Sequence, residues 1–220
     1  MDAKMDIVLT EEEIRVLGSL MEKEMATPEY YPLSLNALTS ACNQKSNRDP
    51  VTSYDENIVA DALNGLRKKK LAMESSGSRV PKYAQTFSND LKLKTSEQAV
   101  ICILLVRGSQ TQGEIRGRTE RLYSFAGLAE VQETIAGLER MELVKKLPKQ
   151  PGRKEPRYCH LLAGESIELS GEGIPELESN ERIEGRNNDR VDELNDEIEL
   201  LRKELNDLRL EFEAFRAQFG

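Results

Sequence analysis

Val59-Ala60-Asp61-Ala62-Leu63-Asn64-Gly65-Leu66-Arg67-Lys68-Lys69-Lys70-Leu71, followed by Ser75-Ser76-Gly77-Ser78 and then Arg79-Val80-Pro81-Lys82-Tyr83, is the stretch that decides the fold. Val59, Leu63 and Leu66 recur at the three-and-four spacing of an amphipathic helix, and the polar turn between two short runs predicts a hairpin. The pattern returns at Val131, Ile135, Leu138 and Leu143, then a Pro/Gly turn, then Lys154-Glu155-Pro156-Arg157-Tyr158. Helix plus hairpin, preceded by two further helices, is a winged helix, and the chain carries two.

Outward from the first copy, Thr10-Glu11-Glu12-Glu13 reads as a capping box ahead of Ile14, Leu17, Leu20 and Met21, a helix ending near Glu24. Ser34 is the expected N-cap of a second helix with Leu35, Leu38, Ala41 and Cys42 inward, and Ser53-Tyr54-Asp55-Glu56 is the expected box of the third. In the second copy, Thr95-Ser96-Glu97-Gln98 opens a helix running through Val100, Ile101, Ile103, Leu104 and Leu105. Apolar almost all round, it should be the most buried element of the chain. Thr111-Gln112-Gly113-Glu114 caps a short helix bearing Arg116, Arg118 and Arg121. Thr10 and Glu12 match Thr95 and Glu97 at an offset of 85; Gly65-Leu66 matches Gly137-Leu138 at 72, and Pro81-Lys82-Tyr83 matches Pro156-Arg157-Tyr158 at 75.

The expected class is therefore mainly α with small β-hairpins (α+β): winged-helix domains at 1–88 and 89–163, a flexible acidic linker at 164–189 and a coiled-coil helix at 190–220. In the last segment Val191, Leu194, Ile198, Leu201, Leu205, Leu208, Phe212, Phe215 and Phe219 alternate at spacings of three and four. Glu197, Glu204 and Glu211 fall at g, and Arg202, Arg209 and Arg216 at the following e positions. A parallel pair sets each Glu against an Arg, whereas an antiparallel pair opposes like charges, so the pattern predicts a parallel homodimer. The alternatives are that this stripe packs back on its own chain or that the three Phe favour a larger assembly.

With 38% hydrophobic and 32% charged residues, the 220-residue chain can bury one or two small cores. It has no apolar run of the ~18 residues a membrane span needs and no apolar leader in Met1–Asp6, so a cytoplasmic location is expected. Cys42, Cys102 and Cys159 are too scattered for a disulfide framework or a zinc site; adjacent Cys159 and His160 on a strand would point to opposite faces. No phosphate-cradling, nucleotide-binding, nucleophile-elbow or zinc-protease motif is present, so neither a cofactor nor an enzyme is expected. From Gly171 onward there are 15 acidic and seven basic residues, so the whole net charge of -8 lies there and the rest of the chain is balanced.

Tyr31-Pro32-Leu33-Ser34-Leu35-Asn36, continuing through Ala41-Cys42-Asn43-Gln44-Lys45-Ser46-Asn47-Arg48-Asp49-Pro50, together with Asp90-Leu91-Lys92-Leu93 and Gly152-Arg153-Lys154-Glu155-Pro156-Arg157-Tyr158, resembles the YceH-like family of uncharacterised bacterial proteins. The resemblance covers nearly the whole chain and implies tandem winged helices. It brings with it no ligand and no catalytic residue.

Partners must then be read from the residues. Asn43–Pro50 offers Asn47 and Arg48 for base edges and Lys45 for a phosphate; equally, its Asn and Asp side chains suit a structural turn. The third helices argue against major-groove reading, because the first exposes Asp55, Glu56, Asn57, Asp61 and Asn64, and the second Glu130, Gln132, Glu133 and Glu139. The hairpins are basic: Lys145, Lys146, Lys149, Arg153, Lys154 and Arg157 in the second, Arg79 and Lys82 in the first. The expectation is a DNA-binding protein, a dimeric transcriptional regulator or architectural factor gripping phosphate through its wings. The alternative is a protein–protein interaction module of a larger complex, without direct DNA binding.

Overall fold

The computed structural model describes residues 8–75, 80–149 and 155–163. The segment expected to form the linker and coiled coil, 164–220, and with it every residue assigned to oligomerisation, lies outside the described residues.

The α+β class holds. The first repeat runs α1 (Glu11–Ala26), β1 (Leu33–Ser34), α2 (Leu35–Cys42), α3 (Glu56–Lys68), β2 (Ala72–Ser75) and β3 (Lys82–Gln85). Its strands form an antiparallel sheet in the order β1-β3-β2, with Leu33 opposite Tyr83 and Glu74 opposite Tyr83 from the other side. A single turn, α4 (Phe87–Asp90), buries Phe87 completely and leads to the second repeat: α5 (Thr95–Arg107), α6 (Gln112–Arg118), α7 (Leu128–Arg140), β4 (Val144–Lys146) and β5 (Tyr158–His160). Here the first strand has shrunk to an isolated bridge between Gln110 and Tyr158, so bridge, β5 and β4 lie in the same order as β1, β3 and β2. Both repeats follow the element order expected of a winged helix.

Helix starts follow the chemistry of unpaired amides. Thr10 accepts from Glu13 N at 3.2 Å while the Glu13 carboxylate takes Thr10 N at 2.9 Å, and Thr111 and Glu114 repeat the arrangement. Ser34 caps α2 as expected. Two starts differ from the sequence reading. Asp55, not Ser53, caps α3, accepting from Ile58 N at 2.9 Å. α5 begins at Thr95 itself, so Glu97 rather than Gln98 is the third helical residue and takes Lys94 N at 2.8 Å. In both cases a carboxylate, the stronger acceptor for helix-end amides, displaces the hydroxyl or amide expected from the pattern. The register between repeats consequently pairs Glu13 with Glu97, one residue off the offset of 85.

Glu13 then explains a glycine. A Cβ on Gly65 of α3 would overlap the Glu13 carboxylate, which also pairs with Lys69 at the end of the same helix. The equivalent Gly137 stands 3.2 Å from Glu97 Oε1 by the same measure.

The expected domain border at 88/89 does not separate two cores. α1 and α5, the first helices of the two repeats, pack on each other, and one continuous apolar cluster runs from Leu9 to Ala163 within the compact unit Met1–Leu169. Gly18 allows the approach: a Cβ there would stand 2.8 Å from Val106 Cγ1 and 2.9 Å from Leu105 Cβ. α5 is buried continuously from Ala99 to Val106, one side serving its own repeat and the other serving α1, which is why its sequence is apolar all round. Each large apolar side chain that α5 removes from water contributes about 1.5–3 kcal/mol to the fold.

Candidate nucleic-acid interface

The loop between α2 and α3 is built by side chains that replace missing backbone partners. Asn43 bridges it, its Oδ1 accepting from Tyr54 N at 2.8 Å and its Nδ2 donating to Tyr54 O at 2.7 Å. Arg48 turns inward. Its side chain is fully buried and donates to both Glu22 oxygens, at 3.0 and 2.5 Å, and to Ala41 O at 2.8 Å. Every donor direction is spent, so Arg48 is not available to read a guanine, as the sequence reading had allowed. The loop continues onto the second repeat: Asp49 N donates to Val106 O at 2.9 Å, and Arg15 of α1 donates to Val106 O at 3.0 Å and Pro50 O at 2.6 Å. Burial, and then the nearby Arg48, hold the Arg15 guanidinium below the ordinary arginine value. This loop is a clamp between repeats.

Lys45 and Asn47 are exposed on the clamp's outer side. Asn47 takes a left-handed backbone, φ 60°, that suits Asn, and its Oδ1 accepts from Arg107 at the end of α5.

In the first wing, Lys82 is half-buried on the central strand β3, between Ser34 and Ser75, and Arg79 is outside the described residues. Among the described residues of this hairpin, Met73 and Val80 are exposed.

In the second wing the candidates separate. Lys146 and Lys149 are exposed and flank Leu147 and Pro148, lining with Pro156 a shallow depression of about 440 Å³. Lys145 is half-buried opposite Cys159, and Arg153 and Lys154 lie outside the described residues. Arg157 is committed to the fold. It donates to Ser109 O at 2.8 and 3.1 Å and pairs with Glu114 at 3.0 Å, so it anchors the wing's root to α6 and is not the outward phosphate contact expected.

The third helices carry the charge foreseen for them. Asp55, Glu56, Asn57, Asp61 and Asn64 are exposed on α3, and Gln132, Glu133 and Glu139 on α7. Glu130 differs: it receives Tyr123 OH at 2.6 Å and Ala126 N at 2.8 Å, and the tyrosine and amide hydrogen bonds hold its carboxyl below the usual carboxylate range. It is half-buried as a cap of α7 rather than a free surface charge.

A family model described as "Protein of unknown function, DUF480" matches residues 9–153. The chain belongs to this family. UPF0502 proteins of Geobacter metallireducens and Geobacter sulfurreducens are 54% and 50% identical to it, each over 98% of this chain and 100% of their own length. One of Solibacter usitatus is 53% identical over 79% of this chain and 84% of its own. The family resemblance drawn from the sequence motifs is thereby borne out. None of these names carries an enzymatic activity, and among the described residues no helix is long and apolar enough to cross a membrane. The DUF480 match takes in the clamp, both third helices, Lys146 and Lys149; Arg157 falls beyond it and within the Geobacter alignments.

Sequence reasoning missed Arg15 and Glu22 of α1, which hold the clamp loop, Arg107, which donates to Asn47 of that loop, and Gln110, whose backbone pairs with Tyr158 and whose side chain accepts from Arg118. One signal was present: Arg15 interrupts the run Ile14-Arg15-Val16-Leu17, where a charge can sit only if something binds it.

Proposed function

We propose that this protein binds duplex DNA along its phosphate backbone through the second wing, as a transcriptional regulator or architectural factor and not as an enzyme. The observation that carries this reading is the exposed pair Lys146 and Lys149, which with Leu147, Pro148 and Pro156 line a shallow depression that has no carboxylate among its described residues. The acidic third helices support contact led by the wing rather than by major-groove reading, since α3 and α7 would set several carboxylates against phosphates. The Glu and Arg pattern at 197–216 supports a parallel homodimer that doubles the number of wings presented.

Titration against random-sequence duplex at ~50 and ~200 mM salt tests it. Affinity should fall by about 0.9 log unit per log unit of salt for each phosphate neutralised, and Lys146→Glu with Lys149→Glu should abolish binding. A protein that ignores DNA at the lower salt, or binds it equally with both lysines reversed, ends this reading.

A second reading has its own observation. The exposed face of α3, with Glu56, Asp61 and the partly exposed Ile58, suits a basic protein partner. It requires that α3 charge reversal abolish complex formation while the wing variants leave it intact.

A further inference from the structure

The seam between the repeats covers α5 with α1, whereas α7 is covered on one side only. Val131, Thr134, Ile135 and Leu138 face inward and are buried. Ala129, Glu133, Ala136 and Arg140 recur at spacings of four and three on the opposite side, and all four are exposed. Neither charge of this outer stripe has a partner among the described residues. Glu97 of α5, which approaches Gly137 from below, is spent on Lys94 N. Glu133 and Arg140 stand seven residues apart, about 10 Å along the axis, so they cannot pair with each other. Among the described residues of the second repeat the exposed large apolar side chains are Leu128 and Met141, one at each end of this same helix.

We propose that the outer face of α7 docks on the same face of a second copy of this chain, the two helices running antiparallel about a two-fold axis. Charge self-complementarity carries the assignment. A two-fold midway between Glu133 and Arg140 sets each Glu133 against the partner's Arg140 and brings Ala136 to within about 1 Å of the axis along the helix. Parallel copies in register would oppose Glu to Glu and Arg to Arg instead. Alanine at the crossing point lets the helix axes approach to the short end of the ~8–10 Å range, close enough for the charged groups on either side to meet. The first repeat carries the same charges at the matching positions, Asp61 and Lys68 of α3, but Asn57 and Asn64 stand where α7 has alanines and hold a second helix further off. One helix pair about 20 Å long falls short of the ~1,200 Å² buried in a stand-alone complex. The contact therefore rests on the homodimer proposed above, whose pairing at 191–219 raises the concentration of one α7 around the other. The matching of Glu133 to Arg140 does not depend on that pairing.

Cross-linking of the full chain tests it. Ala136→Cys should oxidise to a covalent dimer, against a low background because Cys42, Cys102 and Cys159 are buried. Asn64→Cys, at the matching position of α3, should cross-link far more slowly, since a disulfide forms only where two Cα atoms come within about 7 Å. In the Ala136→Cys chain, Glu133→Arg and Arg140→Glu should each slow the reaction roughly tenfold, because two attractions become two repulsions. Mixed in equal amounts and left to exchange, these two variants should recover the rate as a mixed dimer, identified by mass, in which every Arg of one chain again faces a Glu of the other. Equal rates for Ala136→Cys and Asn64→Cys, or no recovery on mixing, overturn the α7 contact. Sedimentation of the wild type separates this from the homodimer itself. A dimer whose Ala136→Cys variant does not cross-link leaves the coiled-coil pairing in place and overturns the α7 contact. A monomer ends that pairing, and cross-linking of Ala136→Cys at raised protein concentration then decides the α7 contact alone.

Discussion

The two repeats follow one order of elements and spend their polar chemistry oppositely. In the first, the interior is ionic and closed: Arg48 with Glu22, Glu13 with Lys69, and Gln85 bonded to both Glu24 and Ser88 N. In the second, the corresponding places are looser. His160, at the position of Gln85, is 9% exposed with an unpartnered Nδ1 among the described residues, and Glu97 only grazes Gly137 where Glu13 crowds Gly65. The first repeat is tied down by buried charge, and the second keeps its arginines and lysines nearer the surface. A shared order of elements therefore does not imply a shared pattern of buried pairing.

Arg48→Met should break this contrast most severely. It strands Glu22 in the core, and the loss should be about 3–5 kcal/mol in a denaturant titration. Adding Glu22→Gln should recover much of it, because the penalty is the unpaired charge rather than the lost bond.

Acid should find the second repeat first. Burial lowers the His160 pKa to about 4 from an ordinary 6.5, so below 6.5 the unfolded chain binds a proton that the folded chain refuses. Stability is then fully present above pH 6.5 and falls as pH drops toward 4, by roughly 3 kcal/mol at most. His160→Gln, which installs the first repeat's residue, should flatten stability across that window; an unchanged profile would show that the imidazole is not the sensitive group.

The glycine pair sharpens the comparison. Gly65→Ala must displace the pinned Glu13 carboxylate and should destabilise by about 1–3 kcal/mol. Gly137→Ala meets only the tip of Glu97 and gains helix propensity, so it should stabilise by a few tenths up to ~1 kcal/mol. Equal effects in thermal melting would mean that the two Glu residues are held alike.

What the sequence disclosed follows from what periodicity encodes. Val59, Leu63, Leu66 and their counterparts Val131, Ile135 and Leu138 all proved buried, because an apolar face at helical spacing has few other uses. The continuous burial of α5 was readable for the same reason. The fate of Arg48 and Arg157 was not, since a basic side chain near a loop looks the same whether a carboxylate lies behind it or water in front. Their partners, Glu22 and Glu114, stand 26 and 43 residues away, and only the tertiary fold brings them close. The seam was hidden likewise: a helix apolar all round announces that something covers it, without saying that the cover is α1.

The packing of α1 on α5 through Gly18 also sets a timetable for synthesis. The face of α1 that meets Val106 has no cover until about 80 further residues have been added beyond α1. At ~5–20 residues per second, roughly 4–16 s pass before Arg107 is joined to the chain. During that interval the first repeat exists without the helix that covers this apolar face, so a chain stopped between the repeats leaves the face of α1 around Gly18 uncovered.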